Sequence, residues 1–154
     1  MTSSSPTPSA IAVDATLVVR AVLPASIEPA ILERFTSWRQ SQVPIIAPDI
    51  LLPEAVSVIR RGVFDRWISE AEGRQAVDDL FRLGVEIIPG DISLCQAALG
   101  WAGRLGQSRA YDGFYLAAAE RMGAQLWTAD EKLRNRAVQL GVSWVQWFDE
   151  SVER

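Results

Sequence analysis

Residues 110–133, AYDGFYLAAAERMGAQLWTADEKL, predict a helix, a strand and the start of a second helix. Apolar side chains recur at helical spacing over residues 111–122, and Gly123 is typical of a helix end. Residues 124–128 predict a short strand, and Asp130 follows at the start of the next helix. This alternation, repeated along the chain, predicts a parallel sheet that helices cover on both faces.

Two aspartates in this stretch stand where a carboxylate could do chemistry. Asp112 falls in the first turn of its helix, where the helix dipole and unpaired N–H groups favour an anion. Asp130 follows a predicted parallel strand, and open α/β sheets bind ligands at the carboxyl ends of their strands. Each aspartate could instead simply cap its helix, which is the commoner role of Asp in such a place.

The composition narrows the possible chemistry. The chain has 154 residues, a formal net charge of −4, no histidine and one cysteine, Cys95. Catalysis by Ser-His-Asp or Cys-His, histidine metal ligation, an intramolecular disulfide and a multi-cysteine zinc site are therefore excluded. This cysteine usage favours a reducing, cytoplasmic setting. The apolar helical pattern around Cys95 predicts that its side chain belongs to the core.

The domain organisation is simple. Residues 1–9 are rich in Ser, Thr and Pro and predict a disordered tail that resembles neither a signal peptide nor a membrane anchor. Residues 10–150 predict one domain, and no apolar run is long enough to cross a bilayer. Further strands are predicted at residues 10–13, 43–47, 85–88 and 142–145. Further helices are predicted at residues 15–23, 27–40, 49–61 with Asp49 as cap, 67–83 with a possible break at Gly73, 91–105 and 130–140.

Two more acids complete a set of four. Asp14 follows the first predicted strand, as Asp130 follows a later one, and Glu54 lies at the edge of an apolar helical stripe. Asp14 and Asp130 become neighbours if their strands are adjacent. Four clustered carboxylates would repel one another unless a divalent cation neutralised them, and hard oxygen ligands select Mg²⁺ or Mn²⁺. Such an ion can activate water against a phosphodiester.

Two threonines stand beside these aspartates. Thr16 and Thr128 each lie two residues from an aspartate and could hold a ligand or a water in place. Either could equally be an ordinary β-branched residue or make a local hydroxyl–backbone bond.

The sequence resembles the PIN-domain ribonucleases that serve as VapC toxins of toxin–antitoxin pairs. The matching segments are IAVDATLVV (11–19), PDILLPEAVSVIRR (48–61), the stretch at 110–133 and, more loosely, GVSWV (141–145). The order Asp, Glu, Asp, Asp is the acidic set of that family. The resemblance covers almost all of the predicted domain.

The resemblance implies both a fold and an activity. The fold is a three-layer α/β/α sandwich around a mainly parallel sheet of four to five strands. The activity is Mg²⁺- or Mn²⁺-dependent RNA cleavage by a homodimer that a small antitoxin protein inhibits. The resemblance assigns metal binding and catalysis to Asp14, Glu54, Asp112 and Asp130, with Thr128 in support; Thr16 is added by its position beside Asp14.

The chain departs from the family pattern at one position. Many relatives carry Asn three residues after the helical Glu, where this chain has the shorter Ser57.

The net negative charge is compatible with RNA cleavage only if arginines border the site, because phosphate contacts dominate nucleic-acid affinity. The candidates for these contacts are Arg20, Arg61, Arg104 and Arg109.

Two other functions stay open at this point. A PIN-like fold that has lost catalysis could work as a binding or assembly module, and the acidic surface and Ser57 leave room for that role. A phosphatase could use Asp14 as its nucleophile. It would normally need a second Asp two residues later, where this chain has Thr16.

Overall fold

The computed structural model describes residues 7–149. The predicted disordered tail lies outside the described residues except for positions 7–9, where Ser9 donates a hydrogen bond to the Gly123 carbonyl at 3.0 Å. Residue 150 of the predicted domain also lies outside them. None of the described helices is both long and apolar enough to span a membrane.

Helices and strands alternate through the described chain. The strands are β1 (Ile11–Val13), β2 (Ile45–Pro48), β3 (Glu86–Ile88), β4 (Gln125–Thr128) and β5 (Val145–Trp147). The helices are α1 (Ala15–Val22), α2 (Pro29–Gln40), α3 (Leu51–Phe64), α4 (Glu70–Arg82), α5 (Ile92–Leu105), α6 (Tyr111–Arg121) and α7 (Glu131–Gln139), with a short 3₁₀ helix at Pro24–Ser26.

The five strands form one parallel sheet in the order β3-β2-β1-β4-β5. β1 is central, and all three of its residues are buried, as expected of a short apolar strand with helices on both sides. Helix α1 packs with α2, α3 and α4, whereas α5 packs with α6, so two groups of helices enclose the sheet. The predicted α/β/α sandwich with four to five parallel strands is confirmed.

Several helix and strand boundaries differ from the predictions. Asp49 does not cap α3, because its carboxylate accepts a hydrogen bond from the Gly90 N–H at 2.9 Å instead. Helix α4 begins at Glu70 rather than at residue 67, because Ser69 and Glu72 form a capping box. Strand β5 begins at Val145 and extends to Trp147, whereas the predicted strand covers residues 142–145.

Gly73 does not break helix α4. It is buried within the helix, and a Cβ there would lie 2.8 Å from the Val63 side chain of α3. The glycine therefore allows α3 and α4 to approach closely. The prediction of a break was wrong because glycine has the same signature at a helix end and at a close contact.

The prediction that Cys95 belongs to the core was wrong, because its side chain is exposed. Helix α5 is apolar on more than one face, and the face it buries carries Leu94, Ala98, Trp101 and Leu105. Cys95 follows the buried Leu94 and is therefore turned away from that face. It lies on the same side of the helix as the exposed Ile92 and Leu99. When most of a helix is apolar, periodicity alone does not choose the buried side.

Candidate functional site

Asp14 lies at the carboxyl end of the central strand β1, where it caps helix α1. Its side chain is 3% exposed. Oδ1 accepts hydrogen bonds from the Leu17 N–H at 3.0 Å and from Thr16 Oγ1 at 2.7 Å, and Oδ2 accepts one from Thr128 Oγ1. Burial raises the pKa of Asp14 to about 6, against the effect of these donors.

The two predicted threonines join the ends of β1 and β4. These strands are neighbours, so the condition under which Asp14 and Asp130 lie close together is met. Thr16 Oγ1 accepts a hydrogen bond from the Ala129 N–H, and Thr128 Oγ1 accepts one from the Asp130 N–H, both at 3.0 Å. The hydroxyls lie 3.2 Å apart. Together they hold the Asp14 carboxylate in one orientation.

Asp112 occupies the first turn of α6, half-buried, and its Oδ2 accepts a hydrogen bond from Gln107 Nε2 at 2.7 Å. The next residue, Gly113, faces helix α5. A Cβ at Gly113 would lie 2.3 Å from the Ala98 carbonyl oxygen. Only glycine permits this approach of α5 to α6, and the approach positions both Asp112 and the loop that carries Gln107.

Glu54 lies in the first turn of α3, and its Oε1 is buried without a hydrogen-bond partner among the described residues. Burial and, after it, the charges of Asp112 and Asp14 raise the pKa of Glu54, and the nearby Tyr115 hydroxyl opposes the shift, so that the pKa is about 7. Tyr115 is buried beside these acids, and burial together with Glu54 and Asp14 raises the pKa of its phenol. Asp14, Glu54 and Asp112 therefore interact as one electrostatic group.

This acidic group fits a divalent cation by its chemistry. Its donors are all carboxylate oxygens, and one of them, Glu54 Oε1, is buried without a hydrogen-bond partner among the described residues. The negative charge of Asp112 adds to the effect of burial in raising the pKa of both other acids. Within residues 7–149, no three Asp, Glu, His or Cys side chains lie close enough together, as placed, to hold an ion. The side chains thus have the right donors without forming a ready-made cage.

Asp130 is the N-cap of α7, which is one of the two roles predicted for it. Its Oδ1 accepts hydrogen bonds from the N–H groups of Lys132 at 2.9 Å and Leu133 at 3.3 Å. The same residue is linked to Asp14 through its N–H and Thr128. Its role as a metal ligand stays a prediction.

The predicted arginines are spread over the molecule. Arg109 lines the cleft that contains Glu54 and Asp112. Arg61 is exposed and pairs with Asp65, and Arg104 stacks over the Trp101 ring at 4.1 Å. Arg20 lies in the last turn of α1. Ser57 is exposed on α3, one turn beyond Glu54.

Five of the residues that line the cleft were not among the predicted site residues. It has a volume of about 460 Å³ and is bordered by Glu54, Gly106, Gln107, Ser108, Arg109, Tyr111, Asp112 and Arg136. Gln107 precedes Asp112 by five residues and follows the helix stop at Gly106, which was a usable signal. Arg136 gave no signal, because it belongs to α7 and reaches the cleft only through the fold; its Nη1 donates to the Leu105 carbonyl at 2.8 Å.

The fold and the site define a class: a parallel α/β/α protein with interacting carboxylates beside the carboxyl ends of its central strands. Residues 11–139 match the family described as PIN domain. The match spans most of the chain, and the protein belongs to the PIN-domain family. No curated protein matches the chain in sequence.

Solved structures share this fold at low sequence identity. VapBC2 from Rickettsia felis, bound to a DNA fragment from its promoter, has a TM-score of 0.65 and 14% identity over 90% of this chain and 98% of the other. Mycobacterium tuberculosis VapC20, a sarcin–ricin loop cleaving toxin, has a TM-score of 0.60 and 17% identity over 82% and 94%. PAE2754 from Pyrobaculum aerophilum has a TM-score of 0.61 and 18% identity over 82% and 78%. The predicted likeness to VapC proteins is confirmed at the level of the fold.

Proposed function

We propose that the protein is a divalent-cation-dependent endoribonuclease and acts as the toxin of a toxin–antitoxin pair. The observation that carries the proposal is the acidic group of Asp14, Glu54 and Asp112, in which Asp14 is buried and Glu54 Oε1 is a buried oxygen without a hydrogen-bond partner among the described residues. Membership of the PIN-domain family and the likeness of fold to VapC toxins support the same activity.

The chain's own residues would hold Mg²⁺ or Mn²⁺ through Asp14, Glu54 and Asp112, with Asp130 as the fourth predicted ligand. A cation bound there supplies polarisation of the scissile phosphate and lowers the pKa of a coordinated water. Thr16 and Thr128 orient the Asp14 carboxylate, and Gln107 orients that of Asp112. Glu54, with a pKa of about 7, is partly protonated at neutral pH and would lose that proton on binding the cation.

The experiment is a cleavage assay on RNA with Mg²⁺, Mn²⁺ or EDTA. Asp14→Asn and Asp112→Asn should lose most of the activity, because each removes a ligand charge while nearly conserving shape. Asp78→Asn changes an exposed acid of α4 and serves as the matched control, with activity like that of the wild type. Equal cleavage by the wild type and both site variants, or no cleavage by the wild type with either metal, would overturn the proposal.

The partners follow from the same proposal. We expect a small antitoxin protein, a homodimer and a cytoplasmic location. The antitoxin expectation rests on the resemblance to VapC toxins and on the likeness of fold to VapBC2. Co-purification with the product of the adjacent open reading frame tests the antitoxin, and light scattering after size-exclusion chromatography tests the dimer.

A second candidate is a binding or assembly module without catalysis. The described acids form no ready-made cage for an ion, and the exposed Ser57 cannot supply the amide that many relatives carry there. Calorimetric titration with Mn²⁺ separates the two functions. Stoichiometric binding that Asp112→Asn weakens favours the enzyme, whereas no binding favours the module.

A further inference from the structure

The cleft beside the acidic group is lined by charges of both signs. Glu54 and Asp112 are its acids, and its cations are Arg109, from the loop before α6, and Arg136, from α7. Tyr111, the first residue of α6, completes the lining. We propose that this cleft binds one unpaired nucleotide of the RNA, with its base stacked on Tyr111 and its phosphates contacted by Arg109 and Arg136. The inference rests on the proposed nuclease function and deepens it.

Tyr111 is poorly explained by folding alone. Its side chain is 49% exposed, although the helical pattern of α6 predicted it on the apolar stripe. The buried residues of α6 begin at Gly113 and Tyr115. An exposed aromatic ring directly before Asp112, in a cleft, offers a flat face to a base. Aromatic rings bind bases of any identity by stacking, which is how many proteins hold unpaired nucleotides.

The two arginines give the cleft an affinity for phosphate that the chain as a whole lacks. The chain carries a net charge of −4, so an RNA strand needs local cations to approach the acids. Arg136 is oriented by its bond from Nη1 to the Leu105 carbonyl, which uses one of its five N–H donors and leaves others for a ligand. Arg109 lies in the exposed loop directly before Ala110 and α6.

The size of the cleft limits the ligand. A volume of about 460 Å³ lies in the range of sites for single small ligands, about 300–1,000 Å³. A base that is stacked and paired within a duplex cannot offer its face to Tyr111 unless it is extruded, and extrusion costs free energy. The cleft therefore fits one nucleotide whose base is unpaired.

The test measures RNA binding separately from cleavage. All variants carry Asp14→Asn to suppress cleavage, and binding of a fluorescent single-stranded 12-mer RNA is compared with binding of the same sequence in a duplex. Tyr111→Leu should weaken single-strand binding about ten-fold, the effect of losing one stacked base. Tyr111→Phe keeps the ring and should bind like the parent. Phe81→Leu removes a ring that is 66% exposed on α4 and is the matched control.

The salt dependence of RNA affinity distinguishes loss of an arginine from loss of the Tyr111 ring. Arg109→Gln and Arg136→Gln should each lower the slope of log affinity against log salt by about 0.7, whereas Tyr111→Leu should leave it unchanged. Arg74→Gln, on α4, should leave both affinity and slope unchanged. A thermal melt of each variant shows that a lost contact, and not unfolding, causes the change.

The outcomes separate the subsite from the nuclease. Equal binding by Tyr111→Leu and its parent, or equal affinity for single strand and duplex, overturns the subsite while cleavage by the wild type leaves the nuclease standing. Loss of binding with Tyr111→Leu in a protein that cleaves no RNA supports the subsite and overturns the nuclease. A protein that neither binds nor cleaves RNA overturns both.

Discussion

Gln107 donates a hydrogen bond from Nε2 to Oδ2 of Asp112 at 2.7 Å, across the turn that joins α5 to α6. The position of Gln107 is set by the end of α5: Gly106 adopts a left-handed conformation with φ of 67°, and the Gln107 N–H bonds to the Ala102 carbonyl at 3.0 Å. An amide donor orients a carboxylate without adding a cation that would compete with a metal. Gln107 is therefore a positioning residue for Asp112.

Replacing Gln107 by Leu should weaken Mn²⁺ binding by about ten-fold, because outer partners of metal ligands typically contribute 10–100-fold to affinity. Calorimetry on the purified protein measures the effect. Cleavage should fall more at low metal concentration than at saturation. Gln139→Leu changes another glutamine, on the exposed part of α7, and is the control. Unchanged Mn²⁺ affinity in Gln107→Leu would show that the hydrogen bond does not organise the site.

Without metal, the thermal stability should fall as the pH rises from about 5 to 8. The folded protein holds the pKa of Asp14 at about 6 and that of Glu54 at about 7, above their ordinary values of 3.8 and 4.5. The folded state thus binds these two protons more tightly than the unfolded state, so their contribution to stability is complete below the ordinary values and is lost as the pH rises through 6–7.

Melting temperatures in EDTA across this pH range measure that dependence. Asp14→Asn and Glu54→Gln should each flatten the curve, and Asp78→Asn should leave it unchanged. Saturating Mn²⁺ should raise the melting temperature more at pH 8 than at pH 5, because protons compete with the cation for the same oxygens. A wild-type slope retained in Asp14→Asn would refute the assignment.

Thr128→Val should destabilise the protein by about 1–3 kcal/mol, because it removes the donor to Asp14 and the acceptor for the Asp130 N–H in a buried site. Thr128 is fully buried, so water cannot replace the hydroxyl without rearrangement. Thr128→Ser retains the hydroxyl and should recover the polar part of the loss. Urea denaturation measures both. Equal stability of Val and Ser variants would mean that the hydroxyl contributes nothing.

Gly113→Ala should cost at least about 1–3 kcal/mol of stability and reduce activity, because the new Cβ would meet the Ala98 carbonyl at 2.3 Å and force α5 and α6 apart. Gly100→Ala is the matched control. It lies on α5 with nothing within 4 Å of its Cβ, so it should stabilise the helix by about 0.5–1 kcal/mol. Denaturant unfolding of the pair gives opposite signs if the close approach is real.

The residues of the acidic group differed in how far the sequence could foresee them. Asp14 and Asp112 were recognisable because each follows a clear local signal, a short apolar run or a helix start. Glu54 is half-buried, which agrees with its place at the edge of the apolar stripe of α3. Gln107, Tyr111 and Arg136 were missed as site residues, since their roles come from the loop that brings α5, α6 and α7 to one cleft.

The sequence by itself determined the alternation of strands and helices, the parallel sheet and the acids at its carboxyl edge. These follow from periodicity, glycine stops and the rule that parallel strands end at one edge. Only the tertiary structure decided that Thr16 and Thr128 share Asp14, that α5 turns Cys95 to solvent and that Arg136 and Asp112 line the same cleft. The physical reason is that such contacts join residues far apart in the chain, and the packing of apolar faces that brings them together leaves no local signature.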